Sequence, residues 1–170
     1  MALNIKGLSI SSPTGTTFQA GSLLNVNAAG IITRPNTPYM RGQISGRGTI
    51  YNAGNGGYML IVPDENIGNC YNPANGLWTC PVAGHYIMMG SSIATGTAQG
   101  VQGSGYVYIY KNGANYAFTH WNFTSSWHYV SISAVVAASA GDTMGWVLSA
   151  GTGGWHGNGN HHCFAIGLLM

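Results

Sequence analysis

Residues 106–121 read YVYIYKNGANYAFTHW, and their alternation decides the fold class. Successive side chains of a strand point to opposite faces. Tyr106, Tyr108 and Tyr110 therefore share one face, with Val107 and Ile109 on the other. Lys111-Asn112-Gly113 follows as a hairpin signal, because Asn-Gly takes the positive φ angles that a two-residue loop needs. Asn115 to Trp121 is then the returning strand.

The same period runs through the rest of the chain. His128 to Val136 places Val130, Ile132, Ala134 and Val136 on one face, and Ala140-Gly141-Asp142 turns it. In Thr143 to Ser149, Met144, Trp146 and Leu148 align; the closing strand aligns His162, Phe164, Ile166, Leu168 and Met170. No useful window keeps a helical period free of glycine, and there are 27 glycines in 170 residues. The expectation is all-β, with roughly six to ten strands in a sandwich or jelly roll.

The text changes near residue 38. Residues 1–38 are rich in Ser, Thr, Asn and Gly, carry short apolar groups, and end in Arg34-Pro35-Asn36-Thr37-Pro38. Two prolines three apart stiffen the backbone and remove donors, which suits a linker. Too few apolar residues are present for a separate core, so 1–38 reads as a short extended arm and anchor. Residues 39–170 read as the head domain.

Charge is scarce. Five Lys/Arg and three Asp/Glu make eight formal charges, a net of +2. A folded chain of this mass exposes on the order of 8,000 Å², so each charge serves roughly 1,000 Å². Several strands are also apolar or aromatic on both faces, while a sandwich buries only one face of each. Together these point to a subunit interface. Lys6, Arg34, Arg41, Arg47 and Lys111 form no run, which argues against nucleic-acid binding. No 18-residue apolar stretch exists, so no membrane insertion by a helix is expected. The opening Met1-Ala2-Leu3-Asn4-Ile5-Lys6 lacks the pattern of a signal peptide.

Three cysteines, Cys70, Cys80 and Cys163, are too few for a disulfide scaffold and read as reduced small hydrophobes. The alternative is a Cys70–Cys80 bridge. A two-residue loop at Asn75-Gly76 pairs Tyr71 with Cys80 and puts Cys70 on the other face; only an odd-length loop aligns the two thiols.

Residues 61–89 read IVPDENIGNCYNPANGLWTCPVAGHYIMM, preceded by Leu60. The spacing of Leu60, Asn66, Tyr71, Trp78, Gly84 and Tyr86 resembles the globular head of the recognition subunit of the first complement component. That head is a trimeric jelly roll related to tumour necrosis factor. Asn66, Tyr71, Gly84 and Tyr86 match its pattern; Leu60, Trp78 and Met88 stand where that family carries Phe. Lys111-Asn112-Gly113, Gly141-Asp142 and Phe164-Ala165-Ile166-Gly167-Leu168-Leu169 resemble its downstream landmarks in order. The resemblance covers roughly residues 39–170 and implies a complement-head-like jelly roll that associates as a homotrimer. The Gly-X-Y stalk of the complement protein has no counterpart here. Trimer packing and core would then draw on Tyr71, Trp78, Tyr86, Tyr106, Tyr108, Tyr110, Phe164, Ile166 and Leu168.

Catalysis is poorly supplied. Asp64 and Glu65 are neighbours, Asp142 sits in a turn, and no carboxylate pair or nucleophile elbow is visible. No enzyme and no cofactor are expected. His156, His161 and His162 lie in GWHGNGNHHC; adjacent His161 and His162 point to opposite strand faces and cannot easily chelate one ion. One histidine per subunit around a threefold axis would make a three-nitrogen metal site, so these are weak metal candidates. Trp121, Trp127, Trp155 and His156, with Tyr116 and Tyr129, are the candidate surface-recognition residues, because such rings stack on sugars.

The functional expectation is a non-enzymatic virion structural protein of a tailed phage. It would be a trimeric capsid decoration or head-fibre protein on the virion surface, anchored through residues 1–38 to a major capsid or tail/collar protein. The alternative is a receptor-binding fibre tip whose aromatic loops recognise a host glycan.

Overall fold

A computed structural model describes residues 18–19, 25–26, 32–33, 37–44, 50–52, 57–95, 103–123, 128–152, 154–156 and 163–169. Contacts divide the chain into Met1–Thr37 and Pro38–Met170. In the first unit β1 (Phe18–Gln19), β2 (Asn25–Val26) and β3 (Ile32–Thr33) form a small antiparallel sheet, with Phe18 opposite Val26 and Val26 opposite Ile32.

The second unit runs through β4 (Tyr39–Ile44), β5 (Ile50–Asn52), β6 (Ile61–Ile67), β7 (Tyr71–Asn72), β8 (Leu77–Thr79) and β9 (Gly84–Thr95). It continues through β10 (Gly103–Lys111), β11 (Ala114–Phe123), β12 (His128–Ala138), β13 (Thr143–Thr152), β14 (Gly154–His156) and β15 (Cys163–Leu169). No helix occurs among the described residues. One sheet has the order β11-β10-β13-β8-β7; the other is β5-β14-β9-β15-β4-β6, with β12 paired to β9. All pairings in both sheets are antiparallel. The chain crosses between sheets at β6–β7, β8–β9, β9–β10, β11–β12, β12–β13 and β13–β14, which makes a jelly-roll sandwich.

The core lies between the two sheets. Trp78, Val107, Ile109, Trp121, Met144 and Trp146 enter it from the five-stranded sheet; Met40, Tyr86, Met88, Val136, Phe164 and Ile166 enter from the other. Strand β12 shows the code plainly: Val130, Ile132 and Val136 are buried, while Ser131, Ser133 and Val135 are exposed. Trp78 meets Tyr86 edge-on across the sandwich at 6.2 Å.

The matched positions of the central motif have local structural work. The Asn66 side-chain amide donates to the Tyr71 carbonyl (2.8 Å) and accepts from the Tyr71 N–H (3.2 Å), satisfying the backbone as a strand neighbour would. The Tyr71 hydroxyl accepts from the Ile61 N–H at 2.9 Å and donates to the Met59 carbonyl at 3.3 Å. The Tyr86 hydroxyl donates to the Val82 carbonyl at 2.7 Å. At Gly84 an added Cβ would lie 2.7 Å from Leu168 Cδ1, so the strand entry tolerates no side chain without displacing Leu168.

The hairpin around Asn75-Gly76 differs from expectation. Tyr71 pairs with Trp78 and Asn72 with Leu77, so the loop has the four residues Pro73 to Gly76. Gly76 at φ 74° accounts for the wider turn, with the Asn72 carbonyl accepting from the N–H groups of Asn75 and Gly76. The Cys70 carbonyl therefore accepts from Thr79 N–H, and Cys80 lies one position beyond. All three cysteines are free; Cys80 is buried, Cys70 half-buried, and Cys163 is exposed rather than an internal hydrophobe. Burial, aided by the Asp142 carboxylate, pushes the Cys80 thiol up to about 11, so it stays protonated at neutral pH.

Candidate functional site

The candidate functional surfaces are the two outward faces of the sandwich. On the larger sheet, register lines up Ser133–Met89–Ala165–Arg41–Glu65 across four neighbouring pairs. The adjoining rows are Val135–Ile87–Gly167–Tyr39–Ile67 and Ser131–Ser91–Cys163. A solvated antiparallel face is normally polar. Apart from Arg41 and Glu65, this one is built from Ser, Ala, Gly, Met, Val, Ile, Tyr and Cys. In these three rows the formal charges are Arg41 and Glu65, at one end, 3.9 Å apart and half exposed. Such a pair contributes little. Met89 is 44% exposed, and Val135 and Leu169 are comparably open.

The flank of the sandwich continues this surface. Strands β11 and β12 each end their sheet, so both carry an edge without a strand partner among the described residues. Tyr116 of β11 donates its hydroxyl to the Val135 carbonyl of β12 (3.1 Å), tying the two edges together. Tyr129, 73% exposed, stands on the same flank.

The outer face of the five-stranded sheet has different chemistry. Tyr106 stacks on Tyr108 (centroids 5.7 Å, planes 23° apart), and Tyr108 meets Tyr110 edge-on at 5.7 Å. Tyr58 closes one end against Tyr110 at 6.2 Å. Phe118 lies 5.8 and 5.9 Å from Tyr106 and Tyr108, and His120 lies 4.7 Å from Tyr106. The Tyr58 ring rests on Gly145, where an added Cβ would lie 2.7 Å from Tyr58 Cδ1. Burial, with the nearby Tyr110, raises the Tyr58 phenol, so it is neutral at physiological pH.

At the end of the sandwich where β11 and β13 begin, one polar cluster braces two turns. Lys111 Nζ lies 3.0 Å from Asp142 Oδ2 and donates to the Ala137 carbonyl at 2.7 Å. Asn112 Nδ2 donates to Asp142 Oδ1 and Ser139 N–H to Asp142 Oδ2, both at 2.8 Å. The hydrogen bonds from Asn112 and Ser139, then the Lys111 ammonium, hold the Asp142 carboxyl down to about 2. A depressed folded-state pKa means stability that is full above the ordinary carboxylate value and lost as pH falls through the folded one. Thermal melts of wild type and Asp142→Asn should therefore differ at neutral pH and converge between about pH 4 and pH 2. A constant gap across that window would contradict this role.

The sequence-derived residues are distributed as follows. Tyr71, Trp78, Tyr86, Phe164 and Ile166 lie in the intramolecular core, and Leu168 packs against it. Tyr106, Tyr108 and Tyr110 are on the outer face instead, because Val107 and Ile109 take the inward positions. Trp121, expected on a recognition loop, is 2% exposed within β11 and belongs to the core. Its partner across the ladder is Gly105, which leaves room for the indole. Tyr116 and Tyr129 are exposed, but on strands rather than loops. The backbone of Trp155 and His156 forms β14 beside Tyr51 and Ile50 of β5. Trp127, His161 and His162 lie outside the described residues. Among the described residues no group of three or more His, Cys, Asp or Glu could hold a metal ion. Met89, Val135 and Tyr58 carry no functional signal in the amino-acid text, and for Phe118 and His120 the phase of β11 is set by the register shift at Ile109/Tyr110.

No protein-family model matches the chain, and no curated protein matches it. Among solved structures it is similar to the globular domain of zebrafish complement 1qA protein. The identity is 14%, the TM-score 0.57, and the match covers 78% of this chain and 98% of that one. At that identity the likeness concerns the fold: residues of this chain build an all-β jelly-roll sandwich of the complement-head type.

Proposed function

We propose that the protein is a non-enzymatic, self-associating head, a homotrimer that serves as a virion structural protein of the capsid decoration or head-fibre kind. The carrying observation is the outward face of the larger sheet, whose three central rows hold one weak ion pair among small and apolar side chains. Left in water, such a face is a contiguous apolar patch of the sort that marks an interface. The head carries Arg41, Arg47 and Lys111 against Asp64, Glu65 and Asp142, so like subunits meet without net repulsion. Lys6 and Arg34, the two remaining charges, are both in residues 1–38 and give the arm a net charge of +2. The virion placement rests on this division between a neutral head and a basic, Ser/Thr/Asn-rich arm.

The rival, a glycan-binding fibre tip built on loop aromatics, is weakened by the loss of Trp121 to the core. Deleting residues 1–34 should leave the head assembled at the wild-type mass but abolish its incorporation into particles. Normal occupancy of the truncated chain on virions would remove the anchor reading.

A further inference from the structure

We propose that the aromatic ladder on the outer face of the five-stranded sheet is a contact site for a neutral glycan, distinct from the apolar face of the larger sheet. Three register rows build it: His120–Tyr106–Ser149, Phe118–Tyr108–Val147 and Asn115–Tyr110–Gly145. None of these nine positions is formally charged. An ionic ligand would gain no Coulomb attraction there, and a purely aliphatic one would strand the phenol and imidazole groups without partners. A neutral sugar combines apolar C–H faces with hydroxyls, which is the complement of rings bearing polar tips.

Cross-strand packing alone leaves part of the ladder unexplained. The Tyr rings shield one another and cover Val147, which is 1% exposed, so they already stabilise the sheet. Phe118 packs against Tyr106 and Tyr108 as well, but that packing covers less than half of it. It is 59% exposed at the ladder's outer edge, with no polar group of its own, beside an exposed His120. A ring presented this way at the sheet margin, flanked by imidazole and phenol, provides the stacking element while its neighbours provide hydrogen bonds. The two apolar surfaces also lie on different sheets, so covering one by subunit contact leaves the chemistry of the other available. The proposal therefore does not depend on the trimer.

The test uses the full-length protein on a printed glycan array with neutral and with sialylated or sulfated arms. Wild type should be retained on members of the neutral arm, and Phe118→Ser and His120→Ala should each lower that retention about tenfold, the scale of one hot-spot contact. Leu60→Ser, which removes an exposed apolar side chain outside the ladder, should change nothing, and circular dichroism should show all variants folded. Retention confined to the anionic arm, retention unaltered in both ladder variants, or none on any neutral glycan overturns the proposal. A fall in oligomeric mass for Phe118→Ser also overturns it, because the ladder would then be a contact between copies of this chain.

Discussion

Met89→Glu should convert an assembly of about 53 kDa, three chains of 17.8 kDa, into folded single chains. Met89 sits in the middle of the larger sheet's outward face, flanked in register by Ser133 and Ala165. In an isolated subunit its side chain is 44% exposed, so a carboxylate there costs the monomer little. Across a subunit contact the same carboxylate would lose water without gaining a cation, since Arg41 is one row position beyond Ala165 and already faces Glu65. Stranding an unpaired charge in this way costs several kcal/mol, enough to lower association by on the order of a thousandfold. Light scattering at micromolar concentration reads the mass, and circular dichroism reads the retained strands. Met89→Leu should stay assembled. A wild type at one chain's mass, or a trimer that survives the glutamate, would sink the assembly reading.

Trp146→Ala should cost about 3–5 kcal/mol of stability, a large part of the roughly 5–15 kcal/mol that holds a domain folded. Trp146 is fully buried and meets Phe164 of the facing sheet edge-on at 5.3 Å. Gly90 admits both rings: a Cβ there would lie 2.8 Å from Phe164 and 3.2 Å from Trp146 Nε1. In so closely packed a site, the cavity that alanine leaves adds to the lost transfer free energy. The indole N–H has no hydrogen-bond partner among the described residues. Trp146→Phe should therefore lose mainly volume and fall well short of the alanine penalty. Denaturant melts at one fixed protein concentration compare the three, because association would otherwise shift the midpoint by mass action. A loss under about 1 kcal/mol for the alanine variant would show that this contact is not central to the core.

The hairpin of β10 and β11 shows what the amino-acid text settled and what it left open. Asn112 and Gly113 adopt φ of 50° and 77°, the two positive angles of a type I′ turn, as the Asn-Gly pair implies. Tyr106, Tyr108 and Tyr110 on one face, with Val107 and Ile109 on the other, also follow from alternation alone. From the turn outward, Lys111 pairs with Ala114 and Tyr110 with Asn115. Continued without interruption, that register would put Phe118 opposite Val107 in the core and Trp121 on the surface. Ile109 pairs instead with Ala117, so Tyr116 is an extra residue in the ladder.

One inserted residue reverses the phase of everything beyond it, because the strand code has period two. Trp121 goes inward opposite Gly105, while Phe118 and His120 go outward to meet Tyr106 and Tyr108. The Tyr116 hydroxyl is bonded to the Val135 carbonyl, 19 residues away and in the other sheet. The sequence by itself therefore determined the all-β class, the turns and the composition of each face. Only the tertiary structure decided which aromatic residues fill the core and which form the surface, because the phase of β11 depends on a bulge tied to a strand of the opposite sheet.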